Sequence, residues 1–363
     1  MTHKERFLAT IERREVDYPA SWMGMIAPES YEGLYKHFNV KSIDELRTAL
    51  GDDVYGIDVV YNNPPTNDIG CALNFAKDLG DLTQGERTLS APGFFEEITD
   101  ISLIESFAWP NPADHIDVEA CRQRAKNAPS DYFRMGIIWS AHFQDVCAAF
   151  GMSAALMAMY TDTEFFEALV DRILKFHLRA GEIFYEATCG EIDGILIGND
   201  FGTQTSMFMS PEDLRRFILP GTKLLVEQAK SYGLKVIHHA CGSIYPVIDD
   251  LFDMGIDSLH PIQALATDMS AEKLSADFNR GSFFGGVDQQ QLLVNGTPEE
   301  VAADIKRLKS LFPTGLVISP SHGTITNDIP PANMEALFKA IQSLRCEVRR
   351  SRCGALRQLL ELG

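Results

Sequence analysis

Short apolar runs recur along the chain and read as strands: Val54 to Val60, Phe133 to Trp139, Gly194 to Ile197, Leu234 to Ile237, Ile256 to Leu259, Ser282 to Val287 and Leu316 to Ser319. Helical patterns separate most of them. Ile244, Val247, Ile248, Leu251 and Phe252 recur at i, i+3, i+4, i+7 and i+8, which is one face of a helix. Thr297-Pro298-Glu299-Glu300 reads as a capping box with proline at the first helical position, and Val301, Ile305, Leu308 and Leu311 form the stripe behind it. Ser210-Pro211-Glu212-Asp213 opens a further helix by the same logic.

From about residue 190 the order is β-α-β-α with short connections, which predicts a parallel sheet covered by helices. Seven or eight such strands favour an α/β fold of the (β/α)₈ TIM-barrel type over an open sheet. No G-x-G-x-x-G follows the first strand and no G-x-x-x-x-G-K-[ST] occurs, so a nucleotide-binding sheet loses ground. The first 130 residues are less regular. Asn62-Asn63-Pro64-Pro65 and Trp109-Pro110-Asn111-Pro112 mark loops there, and this region is expected to decorate the barrel. The expected organisation is one barrel domain over 1–346. Glu347 to Gly363, locally basic through Arg349, Arg350, Arg352 and Arg357, is expected to be a tail or a surface helix.

Composition narrows the setting. Of 363 residues, 45% are hydrophobic and 23% charged, as in soluble globular proteins. No apolar run reaches the length of a membrane span, and Met1 to Arg6 lacks the apolar core of a secretory signal. Seven scattered cysteines (71, 121, 147, 189, 241, 346, 353) show no disulfide spacing. A cytoplasmic protein is expected. A formal net charge of −19 argues against nucleic acid and anionic membrane as partners. A small-molecule substrate is expected, and a homodimer is compatible with the sequence.

In a parallel barrel the site lies where the strands end. Five consecutive strand ends carry polar or ligand-type residues: Gly198 to Gln204, His239-Ala240-Cys241-Gly242, His260 to Gln263, Asp288-Gln289-Gln290 and Ser321-His322-Gly323. Side chains alternate along a strand, so His239 and Cys241 point the same way and can address one soft divalent ion. His239, Cys241 and His322 are the expected zinc set, and His238 should face away. Asp200 is a candidate fourth ligand, an orienter of a histidine, a substrate acceptor or a helix cap, and Asp288 has similar status. Asp200 and His322 are the candidate catalytic residues. Trp22, Met23 and Trp139 stand near strand ends and could line an apolar pocket, although core packing is the simpler reading. Gln204 and Asp288 complete the candidate substrate-binding residues. His142 and His260 carry no assignment.

The chain resembles the uroporphyrinogen decarboxylase superfamily. The resemblance runs through Lys4 to Ala9, Asp17-Tyr18-Pro19, Ser210-Pro211-Glu212, Gly285 to Asp288, Pro320 to Gly323 and Pro330 to Asn333. It implies a (β/α)₈ barrel. One branch, the decarboxylase proper, carries an Arg-Gln-Ala-Gly-Arg segment for porphyrinogen carboxylates, and Pro19 to Met25 here holds no arginine. Another branch comprises cobalamin-dependent methyltransferases with His-x-Cys-Gly after a central strand, matched by His239, Cys241 and Gly242. That branch implies Zn²⁺ as cofactor and a corrinoid presented by a partner protein. Its third zinc ligand is a cysteine near the C-terminus, where this chain has His322; one thiolate in place of two leaves zinc more Lewis-acidic. A histidine also stands there in the decarboxylase, so His322 fits both branches. The implied function is zinc-dependent methyl transfer between a corrinoid protein and a small-molecule donor or thiol acceptor. The alternatives are decarboxylation of a different carboxylated substrate and non-catalytic binding of a corrinoid or tetrapyrrole.

Overall fold

A computed structural model describes residues 1–62, 71–75, 91–96, 98 and 100–344. The basic segment 347–363 and part of the Asn62-Asn63-Pro64-Pro65 loop therefore lie outside the described residues. Nine strands occur among those described: β1 (Met25–Ile26), β2 (Val54–Asp58), β3 (Phe133–Ile137), β4 (Gly194–Gly198), β5 (Lys235–His239), β6 (Ser258–Ile262), β7 (Ser282–Val287), β8 (Leu316–Pro320) and β9 (Thr324–Ile325). All seven strands expected from the apolar runs are present. Their ends shift by a few residues, most at β5 and β6, which run on through His239 and Ile262. Those extra residues are buried, so the strand continues where their polarity suggested a loop. No described helix is long and apolar enough to cross a membrane.

The chain forms two compact units. One comprises Gly56–Ala128 and Arg134–Ile256. In it β3, β4 and β5 pair in parallel, with Met135 opposite Gly194 and Ile197 opposite His238. Every residue of β3 and β4 is buried, the pattern of strands covered on both faces. The 25-residue helix Thr163–Ala187 returns the chain from β3 to β4, and Leu219–Ser231 from β4 to β5. Ile244, Val247, Ile248, Leu251 and Phe252 are all buried, as their spacing predicts.

The other unit comprises Met1–Tyr55, Pro129–Phe133 and the chain from Asp257. Here β6, β7 and β8 pair in parallel, and β7 faces β8 over five residues from Phe283–Leu316 to Val287–Pro320. The helix Pro298–Leu311 starts at the Thr297 capping box and buries Val301, Ile305 and Leu308. The N-terminal region is more regular than expected. Ser42 caps the helix Ile43–Leu50, and Gly51 ends it in a left-handed conformation (φ 72°).

Charge is buried in this unit as well. Arg6, 2% exposed, donates from Nη1 to Asp53 Oδ1 at 2.6 Å and from Nε to Asp17 Oδ1 at 2.9 Å, with its guanidinium 3.8 Å over the Tyr18 ring. Asp53 Oδ2 accepts the Ser21 N–H at 2.9 Å. The early segments around Arg6 and Asp17-Tyr18 thus knit this unit together. Asp52 is different. It is fully buried, Oδ2 has no hydrogen-bond partner among the described residues, and burial pushes its carboxyl up to about 7 against the nearby Arg47.

A carboxyl whose folded value lies above its unfolded one favours the folded state while protonated. That contribution is fully present below the unfolded value of 3.8 and is lost as the pH rises to about 7. Asp52→Asn removes the titration. Urea melts at pH 5 and pH 8 should show the variant gaining about 2–3 kcal/mol on wild type between the two conditions. A difference that does not change with pH would show that Asp52 is ionised throughout.

Candidate metal centre

β4 and β5 end side by side, and glycine is what allows it. A Cβ on Gly198 would lie 2.2 Å from His239 O, so only glycine lets the ends of the two strands approach. Gly242 takes φ 89°, and a Cβ there would fall 2.4 Å from Gly202 O. The two following loops are then stitched together: Asn199 N–H donates to His239 O at 3.0 Å, and Ser243 N–H to Thr203 O at 2.8 Å.

This packing gathers three side chains. His239 Nε2 stands 3.3 Å from Cys241 Sγ and 3.2 Å from Asp200 Oδ1, and the same oxygen accepts the Cys241 N–H at 2.8 Å. One ligand atom from each of Asp200, His239 and Cys241 lies within 4.8 Å of the others. His239 is buried, while Asp200 and Cys241 are partly open. The Trp139 ring meets the His239 ring edge-on at 5.2 Å and covers one side of it.

Electrostatics follow from the geometry. Burial disfavours a charged His239, but the Cys241 thiol and the Asp200 carboxylate outweigh it and push the imidazole up to about 10. Burial likewise opposes ionised Asp200, yet hydrogen bonds and charge from His239, with the Cys241 N–H, hold it at about 2. Burial raises the Cys241 thiol, and His239 pulls the other way. An imidazole, a thiol and a carboxylate converging from two strand ends suit a borderline-soft divalent ion, and zinc takes all three donor types. The donor chemistry therefore fits zinc.

The other residues singled out from the sequence stand as follows. His322 belongs to the other unit, where its Nδ1 lies 3.1 Å from Ser321 Oγ and burial lowers its basicity. Asp288, also there, accepts N–H bonds from Gln290, Gln291 and Leu292 and so holds the turn that leads into the short helix Leu292–Asn295. Trp22 and Met23 are buried, and Trp22 packs 4.9 Å from the His260 ring and edge-on to Phe284. Gln204 sits half-buried in the loop after β4, beside the turn that Thr203 makes by accepting the Thr205 and Ser206 N–H groups. His142 is fully buried, held near 4 by that burial, and bonds to Ile218 O at 3.2 Å and to Asn199 at 3.1 Å. Asn199, named in the sequence only as part of the polar strand end Gly198 to Gln204, has an amide that ties β4 to the helix His142–Phe150.

The family model described as Uroporphyrinogen decarboxylase (URO-D) matches residues 91–344. No curated protein matches the chain. Among solved structures, a methyltransferase from Methanosarcina mazei superposes with a TM-score of 0.66 at 16% identity, covering 94% of this chain and 99% of that one. A protein assigned as a vitamin-B12-independent methionine synthase of Listeria monocytogenes gives a TM-score of 0.44 at 13% identity, over 91% and 97%. The first likeness shows the TIM-barrel-like α/β fold expected from the strand and helix alternation.

His238 points away from the centre, as the alternation requires. It stacks on Phe201 at 5.7 Å, burial drives its basicity down to about 3, and neither ring nitrogen has a partner among the described residues. An orphaned buried polar group costs about 1–3 kcal/mol, so His238→Leu, close in volume, should leave thermal stability unchanged or raise it. A loss of more than about 2 kcal/mol would show that a hydrogen bond is made there after all.

Proposed function

We propose that this chain, which belongs to the uroporphyrinogen decarboxylase family, is a zinc-dependent methyltransferase. It would move a methyl group between a corrinoid carried by a partner protein and a small-molecule donor or thiol acceptor. The observation that carries the reading is the convergence of Asp200, His239 and Cys241 at adjacent strand ends. The fold shared with a methyltransferase supports it. The absence of arginine from Pro19 to Met25 speaks against a substrate with many carboxylates.

Zinc held by these residues would supply a Lewis acid that makes a thiol acceptor more acidic. The chain's own groups set the conditions. Cys241 and Asp200 would bring two negative charges to the ion, as many as the two cysteines of the family's His-Cys-Cys set. His239 serves as a neutral donor through Nε2 once it gives up its proton. Trp139 shields that ring from water on one side. Asp200 and Cys241, being partly open, leave the centre reachable by a small molecule.

Protein purified from zinc-replete medium should carry about one zinc per chain, as a catalytic site with three protein ligands requires. His239→Ala and Cys241→Ala should each abolish it, measured by elemental analysis on folded protein. The wild type should also demethylate methylcobalamin with a small thiol, followed by cob(I)alamin absorbance, and the two variants should not. Protein that takes up no zinc at micromolar concentration would refute the reading. Zinc binding without methyl transfer would leave a metal-holding corrinoid binder instead of an enzyme.

A further inference from the structure

Asp200 is not held by the metal-ligand candidates alone. Its backbone N–H donates to Gln144 Oε1 at 3.1 Å, and Gln144 Nε2 donates back to Asp200 Oδ2 at 3.4 Å. The pair of bonds fixes the amide: only with Oε1 toward the Asp200 N–H does the NH₂ face the carboxylate. Oδ2 is thereby occupied, and Oδ1 is the oxygen turned to His239 Nε2 and the Cys241 N–H.

Gln144 is itself firmly placed. It lies in the first turn of the helix His142–Phe150. The Phe143 N–H donates to Asn199 Oδ1 at 2.8 Å, and Asn199 Nδ2 donates to His142 Nδ1 at 3.1 Å. Residues 142, 143 and 144 thus grip Asn199 and Asp200 in succession. A carboxylate in a loop would otherwise sample several rotamers, and holding it still lowers the entropy lost when it ligates an ion.

We propose that Gln144 is a positioning residue that fixes the Asp200 carboxylate as the third donor of the metal centre. This rests on the zinc reading above. Gln144 touches neither ion nor substrate and acts through Asp200.

Gln144→Met keeps the side chain's length and volume and removes both hydrogen bonds. The control is Gln228→Met, the same exchange at an amide that donates to Leu178 O at 2.7 Å, away from the centre. Zinc affinity of metal-stripped protein is measured by competition with a chromophoric chelator, and thermal stability is recorded alongside. Gln144→Met should weaken zinc binding by about tenfold or more, while Gln228→Met stays within about twofold of wild type. The cobalt(II)-loaded protein should also show altered ligand-field bands in Gln144→Met, with the thiolate charge-transfer band retained because Cys241 still binds. Zinc affinity within about twofold of wild type in Gln144→Met would overturn the proposal, as would an equal weakening in Gln228→Met. If the wild type itself takes up no zinc, the metal reading fails first and the role of Gln144 falls with it.

Discussion

The close approach of two backbones after β4 and β5 is the constraint on which the centre depends. Gly198 and Gly242 leave no room for a side chain, and Gly242 adopts a backbone conformation that other residues rarely take. Because the strands touch there, Asp200 reaches the Cys241 N–H, and the same carboxylate oxygen meets His239. A single methyl group at either glycine would separate the donors by pushing one loop off the other. The glycine beside Cys241 is therefore part of the geometry, although it contributes no chemistry.

Around this contact the polar groups sort into two kinds. Some are tied in bonded chains, such as Gln144 with Asp200, Asn199 with His142, and Arg6 with Asp17 and Asp53. Others are buried without partners among the described residues, including His238 and one oxygen of Asp52. The bonded chains lock particular geometries, and each orphan costs stability that hydrophobic packing must offset. His238 and His239 show both outcomes on neighbouring residues of one strand. Alternation sends one ring to the candidate centre and the other against Phe201.

Much of the fold was legible because burial on both faces writes itself into the sequence as continuous apolar runs. Ser282 to Val287 was readable to the residue, and the stripe from Ile244 to Phe252 is buried throughout. The helix Ile43–Leu50 was missed although Ser42 and Gly51 mark its ends, since Ile43, Leu46 and Leu50 give only about two turns of apolar spacing. For the centre, the His-x-Cys spacing at a strand end was enough to pair His239 with Cys241. Asp200 stood among several equal roles, because a carboxylate after a strand is also a common cap. Gln144 left no trace, since its partner is 56 residues away and only the meeting of a helix start with a strand end reveals it.

In the proposed centre, one ion is held by a thiolate, an imidazole and a carboxylate from adjacent strand ends. X-ray absorption at the zinc edge of the zinc-loaded protein tests it most directly. The expected spectrum has one sulfur scatterer at about 2.3 Å and the remaining ligands nitrogen or oxygen at about 2.0–2.2 Å. A first shell with no sulfur, or with two or more sulfurs, would contradict it.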